Sequence, residues 1–295
     1  MPFLALYKEN GHRMKAPSNN IIAFQGVRGA HADMACRQAY PYMDTMPLPS
    51  FEDVFQAVQE GKAALGMLPI ENSQAGRVAE IHNLLPRMHV SIVGEYFQRI
   101  EHHLLAPKGA TLQTVKNVYS HPQALMQCRG HTREMGLEAH HASNTAIAAE
   151  EVARWNDPSK GALASALAAE LYGLTVLKPN MEDSNENTTI FVTIASEPID
   201  TDPETQRIVT SLLFTARNIP AALYKALGGF ATNHVNLLKL ESYIPGGASD
   251  RAQFFVTFEG HPQERNVQLA LEELGFFCRN VKVLGVYPAD PKRFG

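Results

Sequence analysis

Cysteine is scarce: Cys36, Cys128 and Cys278 are the three thiols in 295 residues. The number is odd and no CxxC spacing occurs, which argues against a disulfide framework and predicts free thiols in a reducing, cytoplasmic setting. No apolar run approaches the roughly 18 residues of a membrane span. The opening MPFLALYKENGHRMKAPSNN has no basic region ahead of its apolar start, so it does not read as a secretory signal. Residues 1–20 are expected to form an N-terminal extension. Clusters of Lys and Arg interleaved with aromatics are missing and the net charge is −4, so nucleic-acid binding is not expected. GxGxxG and GK[ST] are absent, which removes the common nucleotide motifs. Ser73 lies outside any GxSxG elbow, which disfavours triad hydrolysis. The adjacent pairs His102-His103 and His140-His141 would point to opposite sides of a strand, and no metal site is expected.

What is present reads as an ordinary globular chain, 45% hydrophobic and 19% charged, long enough for two domains. From Asn20 to about Ile194 strand-like and helix-like segments alternate. IIAFQG, AALGMLPI, SIVGEYFQRIEHHLLA, VKNVYS, EAHHAS and TTIFVTIA read as strands. AHADMACRQAY, DVFQAVQEG, VAEIHNLL, PQALMQCRGHTREM, TAIAAEEVARW and GALASALAAELYG read as helices. That alternation predicts an α/β fold with largely parallel sheets, divided into two lobes with a cleft. SEPIDTDPETQ, 196–206, is polar and reads as a linker. Beyond it the order becomes β-α-β-β-α-β over 207–290, a ferredoxin-like unit whose two middle strands are joined by IPGGASDR.

The apolar run ending in LPIENSQAGRV delivers Glu71, Asn72 and Ser73 at a strand tip. In open α/β sheets, ligands bind beyond such carboxyl ends. The loop FQGVRGA, the Ser120 junction placed as an N-cap ahead of Pro122, and Ser143-Asn144-Thr145 repeat the arrangement. Four helix N-termini around one cleft would suit a small anion, although Ser, Thr and Asn cap most helices with no ligand involved. Cys128 reads as core. Asn187-Thr188-Thr189 precede the last strand of this region.

On these residues the chain resembles the prephenate dehydratase family, in its monofunctional form with a C-terminal ACT regulatory domain. FQGVRGAHADMA is similar to the family's opening Gly-loop, with Gly29 and Ala30 at its centre. LPIENSQAGRV with NLL resembles PIENSxxGxV…DLL, with Asn83 for Asp. YSHPQALMQC, NTA at 144–146, ALASALAAELYGL and NTTIF at 187–191 match further signatures in order. The resemblance implies a two-lobed, periplasmic-binding-protein-like catalytic domain over 21–195 and an ACT domain over 207–290. It implies that prephenate loses CO2 and water to give phenylpyruvate, in phenylalanine biosynthesis. Aromatisation drives that reaction, so no cofactor is implied. Thr189 would be the proton donor. Glu71, Asn72, Ser73, Ser120, His121, Thr145 and Ser165 would line the pocket, with orientation of loops as the alternative role for Glu71 and His121. L-Phenylalanine would bind regulatory residues Pro220, Ala221, Ala222, Leu223, Glu241 and Ser242 between paired subunits of a homodimer or homotetramer. Arogenate as substrate, or a non-catalytic amino-acid sensor on the same fold, are the alternatives.

Several positions depart from the family pattern. Ile190 stands where the motif has Arg. Either a charge-assisted contact of about 1.5–3 kcal/mol is missing, or the position faces the strand's buried side and another cation, such as Arg28, compensates. His31 and Ala32 replace an aromatic and a Ser. Ala221 replaces a Gly, and Tyr243 replaces the Arg of ESRP.

Overall fold

The computed structural model describes residues 19–204, 207–244 and 252–294. Most of the expected N-terminal extension, two linker positions and the turn 245–251 therefore lie outside the described residues. Three sheets form the fold. The first lobe is built on β1 (Ile21–Gln25), β2 (Asp44–Leu48), β3 (Leu65–Asn72), β5 (Ser91–Arg99) and β11 (Thr188–Ala195), in the order β2-β1-β3-β11-β5, with β4 (Gly76–Arg77) paired to the tip of β3. Helices α1 (His31–Ala39), α2 (Phe51–Gln59) and α3 (Ala79–Leu84) accompany it. The second lobe is built on β6 (His103–Ala106), β7 (Asn117–Ser120), β8 (Glu138–His141), β9 (Lys160–Ala164) and β10 (Thr175–Lys178), in the order β10-β6-β9-β7-β8. Helices α4 (Pro122–Gln127), α5 (Arg129–Glu134), α6 (Thr145–Trp155) and α7 (Ala166–Tyr172) belong to it. The chain crosses between lobes twice, after β5 and before β11, so two crossing segments border the cleft. No helix among the described residues is long and apolar enough to cross a membrane.

Three local readings of the sequence are corrected. SIVGEYFQRIEHHLLA is not one strand but β5 and β6, broken at 100–102 where the lobes meet. PQALMQCRGHTREM is two short helices; Cys128, at φ −109 and ψ 14, closes α4 and opens α5. The Ala-rich GALASALAAELYG is strand β9 and then helix α7, divided by Ser165, whose hydroxyl accepts from the Ala168 N–H. Alanine's helix preference lost there because Gly161 to Ala164 fill a fully buried central strand between β6 and β7.

The C-terminal unit is β12 (Ile208–Ala216), α8 (Ala222–Thr232), β13 (Leu237–Tyr243), β14 (Gln253–Glu259), α9 (Arg265–Phe277) and β15 (Cys278–Pro288). Its sheet runs β13-β14-β12-β15 with antiparallel neighbours, the ferredoxin-like order. Leu212 and Phe214 face the helices through Phe230, Val267 and Leu274. Alternate residues Val209 and Leu213, with Phe255, Leu284 and Tyr287, join the core of the first lobe. With both faces covered, β12 is buried along eight of its nine residues, its Thr210 and Ser211 included. Each fully buried side chain of this size contributes about 1.5–3 kcal/mol, so the seam outweighs the polarity of the connecting segment. Even that segment is tied down: Ile199 is buried in the same core, and the Thr201 hydroxyl donates to Val286 O at 2.9 Å.

The last residues clamp the same boundary. Arg293 Nε donates to the buried carboxylate of Glu95 at 2.6 Å, and Phe97 N–H donates to Asp290 at 3.1 Å. Gly285 meets β5 so closely that a Cβ there would stand 2.0 Å from the Ile92 carbonyl oxygen. Gly285→Ala is expected to separate the sheets locally at a cost of about 3 kcal/mol or more, lowering the thermal midpoint by several degrees in a melting experiment. A variant that melts with the wild type would show that the seam is not close-packed.

Candidate active site

Two neighbouring residues at the tip of β3 look in opposite directions, and a bulge is the reason. In the β3–β11 ladder Asn72 pairs with Thr189 and Glu71 with Ile190, but Phe191 pairs with Pro69, leaving Ile70 extra. Pro69 has no N–H to give the ladder, and an extra residue beside it resets the alternation of faces. Ile70 and Glu71 therefore both turn toward the C-terminal unit, while Pro69 and Asn72 face the cleft. On β11 Thr189 and Phe191 face the cleft, and Ile190 faces away beside Glu71.

The cleft has a volume of about 460 Å³, within the usual range for small-molecule sites. Its polar centre is fixed by one amide. Asn72 Oδ1 accepts from the N–H groups of Gln74 and Ala75 at 3.1 and 2.9 Å, so this side of the amide must be oxygen. The two hydrogens on Asn72 Nδ2 then go to Asn187 Oδ1 at 2.7 Å and Thr189 Oγ1 at 2.9 Å. Two consequences follow. Asn187, 1% exposed, presents an Nδ2 with no partner among the described residues. Thr189 accepts at its oxygen, so its own proton is free to be donated into the cleft.

A second polar group lines the cleft where the lobes touch. The rings of His31, opening α1, and His102, just before β6, meet edge to face with centroids 5.2 Å apart. Both nitrogens of His31 and Nδ1 of His102 are buried without partners among the described residues, while His102 Nε2 lies 3.1 Å from Gln127 Oε1. Burial, reinforced by His102 and His103, pushes the His31 imidazole down to about 3; burial also lowers His102 and His103. The pair is thus neutral near pH 7 and offers hydrogen bonds instead of charge. Arg77 borders the cleft on β4, but it pairs with Glu71 and shares that residue's outward face, its guanidinium reaching Ser242 and Glu241 of the C-terminal unit.

The remaining residues singled out from sequence divide into two groups. Ala30, Asn72, His121, Thr145 and Thr189 line the cleft. His121, not Ser120, caps α4, its Nδ1 accepting from Gln123 N–H at 3.3 Å. The others are used elsewhere. Ser120 is fully buried and donates to Leu163 O at 2.6 Å. Ser165 donates to Gly29 O at 2.6 Å and so latches α7 of one lobe to the loop before α1 of the other. Gly29 is at φ +84, and a Cβ there would lie 3.1 Å from the Ala168 Cα, which explains the glycine. Ser73 sews the β3 tip to the lead-in of β11, donating to Glu186 O and accepting from Thr188 N–H, each at 3.0 Å. Glu71 accepts from Lys239 on β13. Arg28 is not among the cleft-lining residues, and Tyr172 holds its carbonyl at 2.9 Å. Sequence reasoning missed Arg77, His102, Gln127 and Asn187; Asn187 alone carried a signal, sharing strand parity with Thr189.

In the C-terminal unit Ala221, Ala222 and Leu223 line a cavity of about 400 Å³ with Arg217, Tyr224 and Ile244. Pro220 is not part of its lining. Glu241 and Ser242 sit instead at the boundary with the first lobe, where Arg77 approaches both.

The buried imidazoles set a pH dependence. His31 is held below its ordinary 6.5, so the unfolded chain binds more protons between about pH 3 and 6.5. Its contribution to stability is complete above 6.5 and is lost as pH falls. Urea midpoints should decline from about pH 7 to about pH 4.5, and His31→Phe should flatten that slope. An identical slope in the variant would contradict the assignment.

A family profile described as prephenate dehydratase matches residues 22–199. A protein of Komagataeibacter europaeus, named bifunctional N-acyl-homoserine lactone acylase/prephenate dehydratase, is 48% identical over 92% of this chain and 97% of its own length. Arogenate dehydratase/prephenate dehydratase 2 of Arabidopsis thaliana, a chloroplastic protein, is 37% identical over 95% of this chain and 74% of its own. A crystal structure of prephenate dehydratase from Arthrobacter aurescens in complex with L-Phe superposes with a TM-score of 0.82 at 25% identity, covering 91% of this chain and 90% of that one. With the matched profile spanning the two lobes and these relatives extending through the C-terminal unit, the chain belongs to the prephenate dehydratase family.

Proposed function

We propose that this protein catalyses the decarboxylative dehydration of prephenate to phenylpyruvate, with Thr189 as the proton donor. The observation that carries the reading is the Asn72–Thr189 hydrogen bond at 2.9 Å. An amide N–H at the threonine oxygen stabilises charge that develops there as the proton leaves. The proton passes to the 4-hydroxyl of the substrate, which departs as water. The ring carboxylate leaves as CO2, its bonding electrons complete the aromatic ring, and solvent returns the proton to Thr189. Asn187 Nδ2, the neutral His31 and Thr145 would hydrogen-bond the carboxylates and the side-chain carbonyl, while His102, whose Nε2 donates to Gln127, keeps only an accepting Nδ1. Ser120, Ser165, Ser73 and Glu71 act by holding the loops and not by touching substrate.

The regulatory reading follows from the same family. L-Phenylalanine would occupy the cavity beside Ala221, Ala222 and Leu223 and inhibit by biasing the cleft between open and closed states. Pairing of subunits as a homodimer or homotetramer belongs to this reading. Arogenate is the alternative substrate, since an Arabidopsis relative is named for both dehydratase activities. The 48% identity to a protein also named as an acylase favours one second reading, cleavage of N-acyl-homoserine lactones.

Assay of one preparation against prephenate, arogenate and an N-acyl-homoserine lactone separates these readings. Prephenate should yield phenylpyruvate. Thr189→Ala should lower kcat by about 10²–10⁴-fold, Thr189→Ser should retain part of it, and Asn72→Ala should lie between. Full turnover by Thr189→Ala, or none by the wild type, would refute the assignment. Because residue 190 faces away from the cleft, Ile190→Arg should not raise kcat/KM for prephenate; a several-fold gain would mean that the position reaches the substrate.

A further inference from the structure

Asn72 sits in a hairpin too short to hold itself. β3 and β4 make two ladder pairs, Glu71 with Arg77 and Asn72 with Gly76, and residues 73–77 are all exposed. A ladder of that length is marginal alone. From within the lobe, Ser73 ties the turn to Glu186 and Thr188. From outside, one strand of the C-terminal unit grips both legs. The period of two along β13 turns Lys239, Glu241 and Tyr243 toward the first lobe and leaves Leu240 exposed. Lys239 binds Glu71 on the β3 leg. Glu241 stands 3.9 Å from Arg77 on the β4 leg, and Arg77 Nη1 donates to the Ser242 carbonyl at 2.9 Å. Lys239 and Glu241 are 3.8 Å apart, so Glu71, Lys239, Glu241 and Arg77 run from one leg to the other with alternating charge. Tyr243 is buried in the first lobe's core, and its ring meets that of His82 on α3, the helix that follows β4.

We propose that Lys239 and Glu241 of β13 are positioning residues of the reaction: through Glu71 and Arg77 they hold the hairpin legs so that Asn72 closes its own turn and aims Nδ2 at Thr189. This rests on the reading of Asn72 and Thr189 as the reacting pair. None of the four charges touches substrate, because Glu71 and Arg77 share the face turned away from the cleft. Glu71 precedes Asn72, and Arg77 follows Gly76, the ladder partner of Asn72. Displacing either leg therefore disturbs the turn whose Gln74 and Ala75 N–H groups fix the amide. The C-terminal unit then supports turnover itself, independently of any effector.

Steady-state kinetics on prephenate with the full chain tests the proposal. Lys239→Met and Arg77→Met should each lower kcat by about tenfold. KM should change little, because the Asn72–Thr189 contact counts as charge develops in the transition state. Lys239→Arg and Arg77→Lys should keep most of kcat, and the double Met variant should approach Asn72→Ala. In the Asn72→Ala background, Lys239→Met should cost nothing further. Wild-type kcat in both Met variants would overturn the proposal. So would a change confined to KM, or a loss from Lys239→Met that is equally large in the Asn72→Ala background. Failure of the functional reading looks different: Asn72→Ala itself would keep wild-type kcat, and the proposal would fall with it. Melting curves matched to the wild type exclude misfolding as the cause; if Lys239→Met does not fold, Lys239→Gln and Arg77→Met decide by the same criteria.

Discussion

The side-chain amide of Asn72 can stand only one way round. Two backbone N–H groups of the following turn claim its oxygen, so its nitrogen must point at Asn187 and Thr189. That single constraint orients the second amide, fills the acceptor side of the threonine and leaves the hydroxyl proton for a ligand. A threonine hydroxyl is a weak acid in water. Here its conjugate oxygen would be born already hydrogen-bonded, in a cleft lined by neutral groups, which is the kind of preorganised stabilisation that lowers a barrier without rearrangement. A bulge at Ile70 makes the arrangement possible by turning Asn72 inward and Glu71 outward.

The same bulge joins catalysis to the C-terminal unit. Glu71, Arg77, Lys239 and Glu241 form a charged group at the boundary, beside an apolar seam that continues the core of the first lobe. Partly exposed pairs of this kind contribute about 1 kcal/mol or less each. They fix register, and the buried side chains supply the attachment. The C-terminal unit is therefore packed against the lobe that carries Asn72 and Thr189 and is joined to it by contact as well as by the connecting segment.

Much of this fold was legible in the sequence because its elements are strongly patterned. The strand at 65–72, the helices at 51–59 and 145–155, and the β-α-β-β-α-β order beyond 207 follow from apolar period and length. Where the reading failed, tertiary context won. The Ala-rich 161–172 stretch divides because its first half lies in the centre of a sheet. The site was legible as a set of strand tips, and only partly as a set of contacts. Ser120 and Ser165 sit in the right motifs yet spend their hydroxyls on carbonyls. Direction of a side chain at a bulge has no sequence signal, so the sequence left two orientations open for Ile190, and the structure turns it and Glu71 toward the C-terminal unit.

The central claim is that Thr189 donates into the cleft while Asn72 holds its oxygen. A crystal structure with an unreactive prephenate analogue bound tests it directly. The account requires the oxygen corresponding to the leaving hydroxyl to sit within hydrogen-bond distance of Thr189 Oγ1, with the Asn72–Thr189 bond intact. An analogue bound with that oxygen turned away from Thr189, or a threonine hydroxyl donating to protein instead, would contradict it.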